Sequence, residues 1–265
     1  MVYTELSVFN RVTFVEQNHS YLIDGNPSGS PSVTKVLKQF KKEFDKHSAA
    51  ERVAKRHRVS TKQVLADWEL NNLYSTTLGS MLHKYIENFY ANKKIAVDQS
   101  LVSSILKTEQ KIELLERLPV LVQYFQQFYS DYSDLICART ELVVGDLDDT
   151  RICGMVDLLC YNCATDSYEI VDFKTNKNIN TKAKYKTKLK APFDLMPDCE
   201  LTHYTIQLNA YKYIIEKYTS IKISGLKIVW LNVNNDTYKV FELGNIQQEI
   251  TEVFESISAE AKMLQ

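Results

Sequence analysis

With 265 residues, 45% of them hydrophobic and 25% charged, the chain has the composition of an ordinary folded protein. It is long enough for one large domain or for a core with an added subdomain. The formal net charge of −1 excludes a globally basic protein, so any nucleic-acid surface must come from local clustering. No apolar run approaches the ~18 residues of a membrane span, and the N-terminus lacks a basic-then-apolar leader, which predicts a cytoplasmic protein with no membrane partner.

The chain opens with two alternating runs in "RVTFVEQNHSYLID" around Asn18 and His19, a hairpin signal. "SPSVTKVLKQF" offers a serine cap with Pro31 near the first helical position, and "HSAAERVAKRH" continues as helix. "STKQVLADWEL" begins with Ser60 and Gln63 in capping-box spacing. A separate helix is expected over "TTLGSMLHKYIENFYANKK", with Leu78, Leu82, Ile86 and Phe89 at helical spacing, and a further one from Val102 to Tyr129.

From Ser133 the period changes to two. "LICARTELVVGD", "RICGMVDLLCY" and "SYEIVDFK" read as strands, the second apolar on both faces and therefore central. "HYTIQLNAYKYIIEKY" is a helix, "GLKIVWLNV" and "TYKVFEL" form a hairpin around Asn234 and Asn235, and "NIQQEITEVFESISAEAKML" closes as a helix. This order predicts an α/β fold with a central mixed sheet flanked by helices. The division is an N-terminal hairpin and helical region over 1–132 and a core over 133–265, in one compact unit. Cys160 and Cys163 form a C-x-x-C pair with no second pair, so the five cysteines read as buried or turn thiols, not a metal site or disulfide framework.

The chemistry concentrates in the strands. Asp172 and Lys174 share one face of "YEIVDFK", and Phe173 points to the other. If the polar "NCATDS" is the turn, Asp157 and Asp172 stand opposite each other. Facing carboxylates repel unless they share a cation, and hard oxygen donors suit Mg²⁺ or Mn²⁺. An adjacent ammonium can orient water or stabilise charge at phosphorus. The plain alternative is a cross-strand salt bridge at a sheet edge. Beyond it, Lys182, Lys184, Lys186, Lys188 and Lys190 alternate strictly, which in an extended chain makes one phosphate-tracking face; otherwise they form a solvated loop.

The set "GMVDLL", "IVDFKTNK", "QLNAYKY" and "GSMLH" resembles the PD-(D/E)xK nuclease superfamily, specifically its RecB-like exonuclease branch. "SVTKVL" and the D-x-K-T ending extend the likeness toward mitochondrial genome maintenance exonucleases and their phage counterparts. The resemblance implies a restriction-endonuclease-like core. It implies one or two Mg²⁺ or Mn²⁺ ions on His83, Asp157, Asp172 and the backbone carbonyl of Phe173, with Glu141 and Glu87 as candidate further acids. Lys174 would position the attacking water, Gln207 and Tyr211 would order the lysine and the substrate, and Ser80, Thr175, Lys177 and the alternating lysines would contact DNA. Relatives with an iron–sulfur cluster carry cysteines near the C-terminus; this chain has none after Cys199, so no cluster is expected. The implied activity is a DNA exonuclease preferring single strands or free ends, in a bacterial or phage-infected cell, with a replication or recombination protein as a candidate partner. The alternatives are an endonuclease on the same core and a DNA-binding recombination module with a vestigial site.

Overall fold

A computed structural model describes residues 2–93 and 107–263. After a short helix α1 (Val2–Leu6), the strands β1 (Val12–Val15), β2 (Ser20–Ile23) and β3 (Asn26–Pro27) form a small antiparallel sheet. Helices α2 (Val33–Phe40), α3 (Lys46–His57), α4 (Thr61–Tyr90) and α5 (Thr108–Asp131) follow. The second sheet has the order β4 (Leu135–Gly145), β5 (Cys153–Asn162), β6 (Ser167–Lys174), β7 (Ile223–Trp230) and β8 (Lys239–Glu242). Among the described residues only β6 and β7 pair in parallel, and parallel neighbours need a crossover. Helix α6 (Glu200–Tyr218) provides it, and α7 (Gln247–Met263) ends the described chain.

The sheet is covered on both faces. On one, Ile170, Val144 and Leu159 meet α6 and α7 through Ile206, Ile214, Ile250 and Phe254. On the other, Leu158, Val171 and Phe173 meet α4 and α5 through Leu82, Ile86, Leu121 and Phe125. Ile170 and Val171 fall in opposite clusters, as strand alternation requires. This is the mixed, helix-flanked α/β sheet expected from the order of elements.

Two helical expectations are corrected. Residues 61–90 form one helix of 30 residues rather than two. The segment between the two expected helices contains no proline or glycine, and Tyr74, Leu78 and Leu82 are buried together against α5, so tertiary packing carries the helix through. Ser32, not its predecessor, holds the N-cap position of α2, which leaves Pro31 outside the helix; its hydroxyl makes no capping bond and instead contacts Thr34 Oγ1 at 3.1 Å. The Ser60 cap is made: Gln63 N–H donates to Ser60 Oγ at 3.1 Å. The start expected at Val102 lies outside the described residues, and α5 runs on to Asp131.

Two local features place the site. The β5–β6 hairpin pairs Leu158 with Val171 and Leu159 with Ile170, so Asp157 and Asp172 are the next residues on each strand where this ladder stops. In β4, Thr140 faces Leu158 and Leu142 faces Val156, which sets Glu141 across from Asp157. Glu141 has φ +46°, a left-handed conformation that breaks the pleat. Val156 and Leu158, two residues apart, lie in opposite clusters, so β5 also changes face at Asp157. Such irregularities re-aim side chains.

Helix α6 is tied to the start of α7 by the buried amide of Asn209. Asn209 Nδ2 donates to Thr205 O at 2.8 Å and Gly244 O at 2.9 Å, while its Oδ1 accepts from Ile246 N–H and Gln247 Nε2. Asn209→Ala would leave the Gly244 carbonyl and the Ile246 amide without this partner. The expected loss is about 2–4 kcal/mol in urea denaturation; a loss within about 0.5 kcal/mol would show that water replaces the amide.

Candidate metal and nucleic-acid site

The site forms at the C-terminal end of β6, between α4 and α6. Phe173 N–H donates to Asp157 Oδ2 at 2.9 Å, so the carboxylate replaces the strand partner that β5 no longer supplies. The Phe173 carbonyl accepts from His83 Nε2 at 3.1 Å. A carbonyl cannot donate, so this contact fixes the Nε2–H tautomer of a neutral ring. His83 Nδ1 then lies 3.5 Å from Asp157 Oδ2 and 3.7 Å from Glu141 Oε1.

One imidazole nitrogen and two carboxylate oxygens thus converge within 4.8 Å of one another. A neutral ring would turn a lone pair toward both carboxylates, so a cation belongs between these atoms, either a proton on Nδ1 or a metal ion. Desolvation opposes the charged ring, but the Asp157 charge and the Glu141 hydrogen bond outweigh it and raise the His83 pKa to about 9. The donor set, one nitrogen and several hard oxygens, fits a divalent ion.

Asp172 is the adjoining acid, with its side chain 3% exposed. Its Oδ2 ion-pairs with Lys174. Burial and then the Asp157 charge push the Asp172 carboxyl up. Burial would lower the Lys174 pKa, but Asp172 and Asp157 raise it, so the ammonium stays charged. Lys174 Nζ also sits 5.1 Å from the Tyr204 ring centroid, a cation–π contact on α6.

Helix α6 backs the site. Gln207 Nε2 donates to the Tyr211 hydroxyl at 2.9 Å, as the i, i+4 spacing allows. The Tyr211 ring lies on Gly154: a Cβ there would stand 2.3 Å from Tyr211 Cε1. Burial pushes the Tyr211 hydroxyl up, so it stays protonated. Gly79 on α4 is not constrained in this way, because a Cβ there would stand 3.5 Å from Thr175 Oγ1, an ordinary contact.

His83, Glu141, Asp157, Asp172, Lys174, Gln207 and Tyr211 are therefore gathered around the end of β6. Glu87 is not: it pairs with Lys84 at 2.7 Å. Ser80 is exposed on α4, and Thr175 and Lys177 follow directly on Lys174. The lysine run does not extend as one ribbon. A 3-10 turn spans Lys184–Lys186, Lys186 has φ +55°, and Lys190 N–H donates to Phe40 O at 2.8 Å. Burial of Leu189 and Phe193 anchors the segment and bends it, although all five lysines stay exposed. Sequence reasoning passed over Tyr204, whose signal is its position three residues before Gln207. It also passed over Trp230 and Asn232, whose side chains each donate to Asn176 O at 2.7 Å and hold the chain just beyond Lys174.

A family model described as the PD-(D/E)XK nuclease superfamily matches residues 46–265. A search of curated proteins finds no match. A solved structure described as "Crystal structure of SSO0001" aligns over 74% of this chain and 85% of its own, at 13% identity and a TM-score of 0.32, too distant to bear on function.

Without a metal ion, the charged His83 contributes stability that is complete below its ordinary pKa of 6.5 and is lost as pH rises through about 9. The change amounts to at most about 3 kcal/mol. In EDTA, wild-type unfolding free energy should fall over that window relative to His83→Gln; parallel pH profiles would mean that the ring is uncharged. Because a metal displaces the proton, Mn²⁺ affinity should rise over the same window.

Proposed function

Because the chain belongs to the PD-(D/E)XK nuclease superfamily and is thus a metal-dependent nuclease, we propose that it is a DNA exonuclease that prefers single-stranded ends. We assign it to the RecB-like branch on its "GSMLH" and "QLNAYKY" motifs. The observation that carries the reading is the row of acids across three adjacent strands, Glu141, Asp157 and Asp172, with His83 at one side and Lys174 at the other.

His83 Nδ1, Glu141, Asp157 and Asp172 would hold Mg²⁺ or Mn²⁺, which when bound supplies Lewis-acid polarisation of the scissile phosphate. The Phe173 carbonyl, engaged by His83, orients the ring. Lys174, held charged by Asp172 and backed by Tyr204, places an ammonium where it can orient water and stabilise charge developing on phosphate oxygens. Gln207 and Tyr211 brace this face of α6 against Gly154. Exposed cations on 182–190 and at the end of α3 supply phosphate contacts.

The preference for single strands rests on recess. Asp172 is 3% exposed and Lys174 19%. A flexible single strand brings a phosphate to such a site at less bending cost than a duplex, whose persistence length is about 50 nm.

Lys174→Met should lower kcat by about 10²–10³-fold while oligonucleotide binding stays near wild type; digestion at the wild-type rate would remove the assigned role. EDTA should abolish turnover, and Mg²⁺ or Mn²⁺ should restore it. End-labelled linear single strands should be degraded and circular single strands spared. Equal cleavage of circles would make the enzyme an endonuclease.

A further inference from the structure

The small N-terminal sheet stands beside the catalytic row, and the assigned chemistry gives it no part. Its β1–β2 hairpin is seated at the base, where the paired residues Val12 and Ile23 are buried with Leu147 and Cys153. The seat is close, since a Cβ on Gly145 would stand 3.1 Å from Val12 Cγ2. The next pair on the same face of the hairpin is Phe14 and Tyr21. Tyr21 packs against that buried cluster, as does Val143, two residues along β4 from Glu141. Burial first, then Cys153 and Glu141, push the Tyr21 hydroxyl up to about 12, so the ring lies within electrostatic reach of the acid row. The turn reaches the same corner. Glu87 holds the Lys84 ammonium charged, and Glu16 in the turn adds to this together with Glu141.

Three rings crowd this end of the hairpin. The Phe14 and Tyr21 centroids are 5.1 Å apart, and His19, just past the turn, meets Phe14 edge to face at 5.7 Å. His19 is exposed, Phe14 and Tyr21 are half-buried, and Phe14 joins none of the buried clusters among the described residues. A cross-strand ring pair steadies a hairpin. Three contiguous rings left partly in water beside an acid row also make a surface on which a flat base can stack. Glu141 further lines a cleft of about 510 Å³ between β4 and the chain from Leu6 to Val12, together with the exposed Arg139. A cation that can meet phosphate thus stands two residues from an acid of the row.

We propose that the hairpin is a stacking platform. Phe14, His19 and Tyr21 hold the base of an unpaired nucleotide close to the scissile phosphate, on the Glu141 side of the row, and Arg139 contacts its backbone. The inference rests on the nuclease reading and deepens it, because it gives the single-strand preference a second source. A base inside a duplex is already paired and stacked and must be withdrawn at a cost before it can reach the rings. Stacking reads no hydrogen-bond pattern, so the platform accepts every base.

The test uses the full chain and the double variant Phe14→Leu, His19→Asn. Leucine keeps an apolar side chain in the hairpin, and asparagine tolerates the left-handed φ of +49° at position 19. On single-stranded oligonucleotides in Mn²⁺, KM should rise about tenfold with kcat unchanged. The salt dependence of KM should keep its slope, because a lost ring releases no counterions. Phe14→Trp, which retains a stacking ring, should stay within about twofold of the wild-type KM. The single variant His19→Asn, at an exposed position, should show part of the same rise even where Phe14→Leu weakens the fold. A single abasic residue walked along the substrate should raise the wild-type KM at one position near the cut and leave the double variant indifferent there. An unchanged KM in the double variant, or an abasic effect of equal size in both proteins, overturns the proposal. If wild type cleaves no DNA with either metal, the nuclease reading fails by itself. Fluorescence anisotropy with labelled oligo-dA and a fully abasic strand then decides the platform. A preference for oligo-dA that is lost in the double variant upholds it, and an equal preference in both proteins overturns it.

Discussion

The site depends on how the backbone of Phe173 is satisfied. On the β7 side, β6 runs in a regular parallel ladder from Glu169 through Lys174. On the β5 side the antiparallel pairing ends at Leu158 and Val171. The Phe173 amide and carbonyl would be orphaned in a buried place, and a buried unpaired peptide group is scarcely tolerated. Asp157 takes the N–H and His83 meets the carbonyl. Two side chains that converge on the cation site are thus oriented by main-chain hydrogen bonding. Strand termination and site formation are one event.

That arrangement carries an electrostatic cost. Glu141, Asp157 and Asp172 follow one another across adjacent strands, where like charges are unfavourable. The chain offsets the repulsion with Lys174 on Asp172 and with a His83 ring drawn toward the charged state by Asp157 and Glu141. A protein built only for stability would fill this space with apolar side chains. Elsewhere it does so: Phe125, Phe128 and Phe173 meet edge to face beneath the same strand end.

Much of this was legible from residue order. The polar turn "NCATDS" sets the β5–β6 register, because hairpin pairing is symmetric about its turn, and the strand period puts Asp172 and Lys174 on the α6 face. The i, i+4 spacing of Gln207 and Tyr211 gives their shared hydrogen bond. Other parts depend on contacts distant in sequence. Glu141 reaches the cluster only because it takes a left-handed conformation, which a glutamate does not announce. Tyr204 is one of 16 tyrosines, and only its place three residues before Gln207 marks it as the one that meets Lys174. The alternating lysines suggest extension, but buried Leu189 and Phe193 bend the run, because apolar anchors outweigh a pattern of solvated charges.

The continuity of α4 has a consequence for how this protein can vary. The helix passes unbroken from Thr61 to Tyr90, with its first turns packed on α3 through Val64, Ala50 and Ala54 and His83 near its far end. Each residue turns a helix by about 100°. A single insertion or deletion between those anchors would swing His83 off the strand end or pull the basic α3 region around the barrel of the rod. Lineages of this chain can therefore lengthen or shorten α4 only in near-whole turns, by about seven or eleven residues at a time. Most other surface segments can drift in length freely; this one must count.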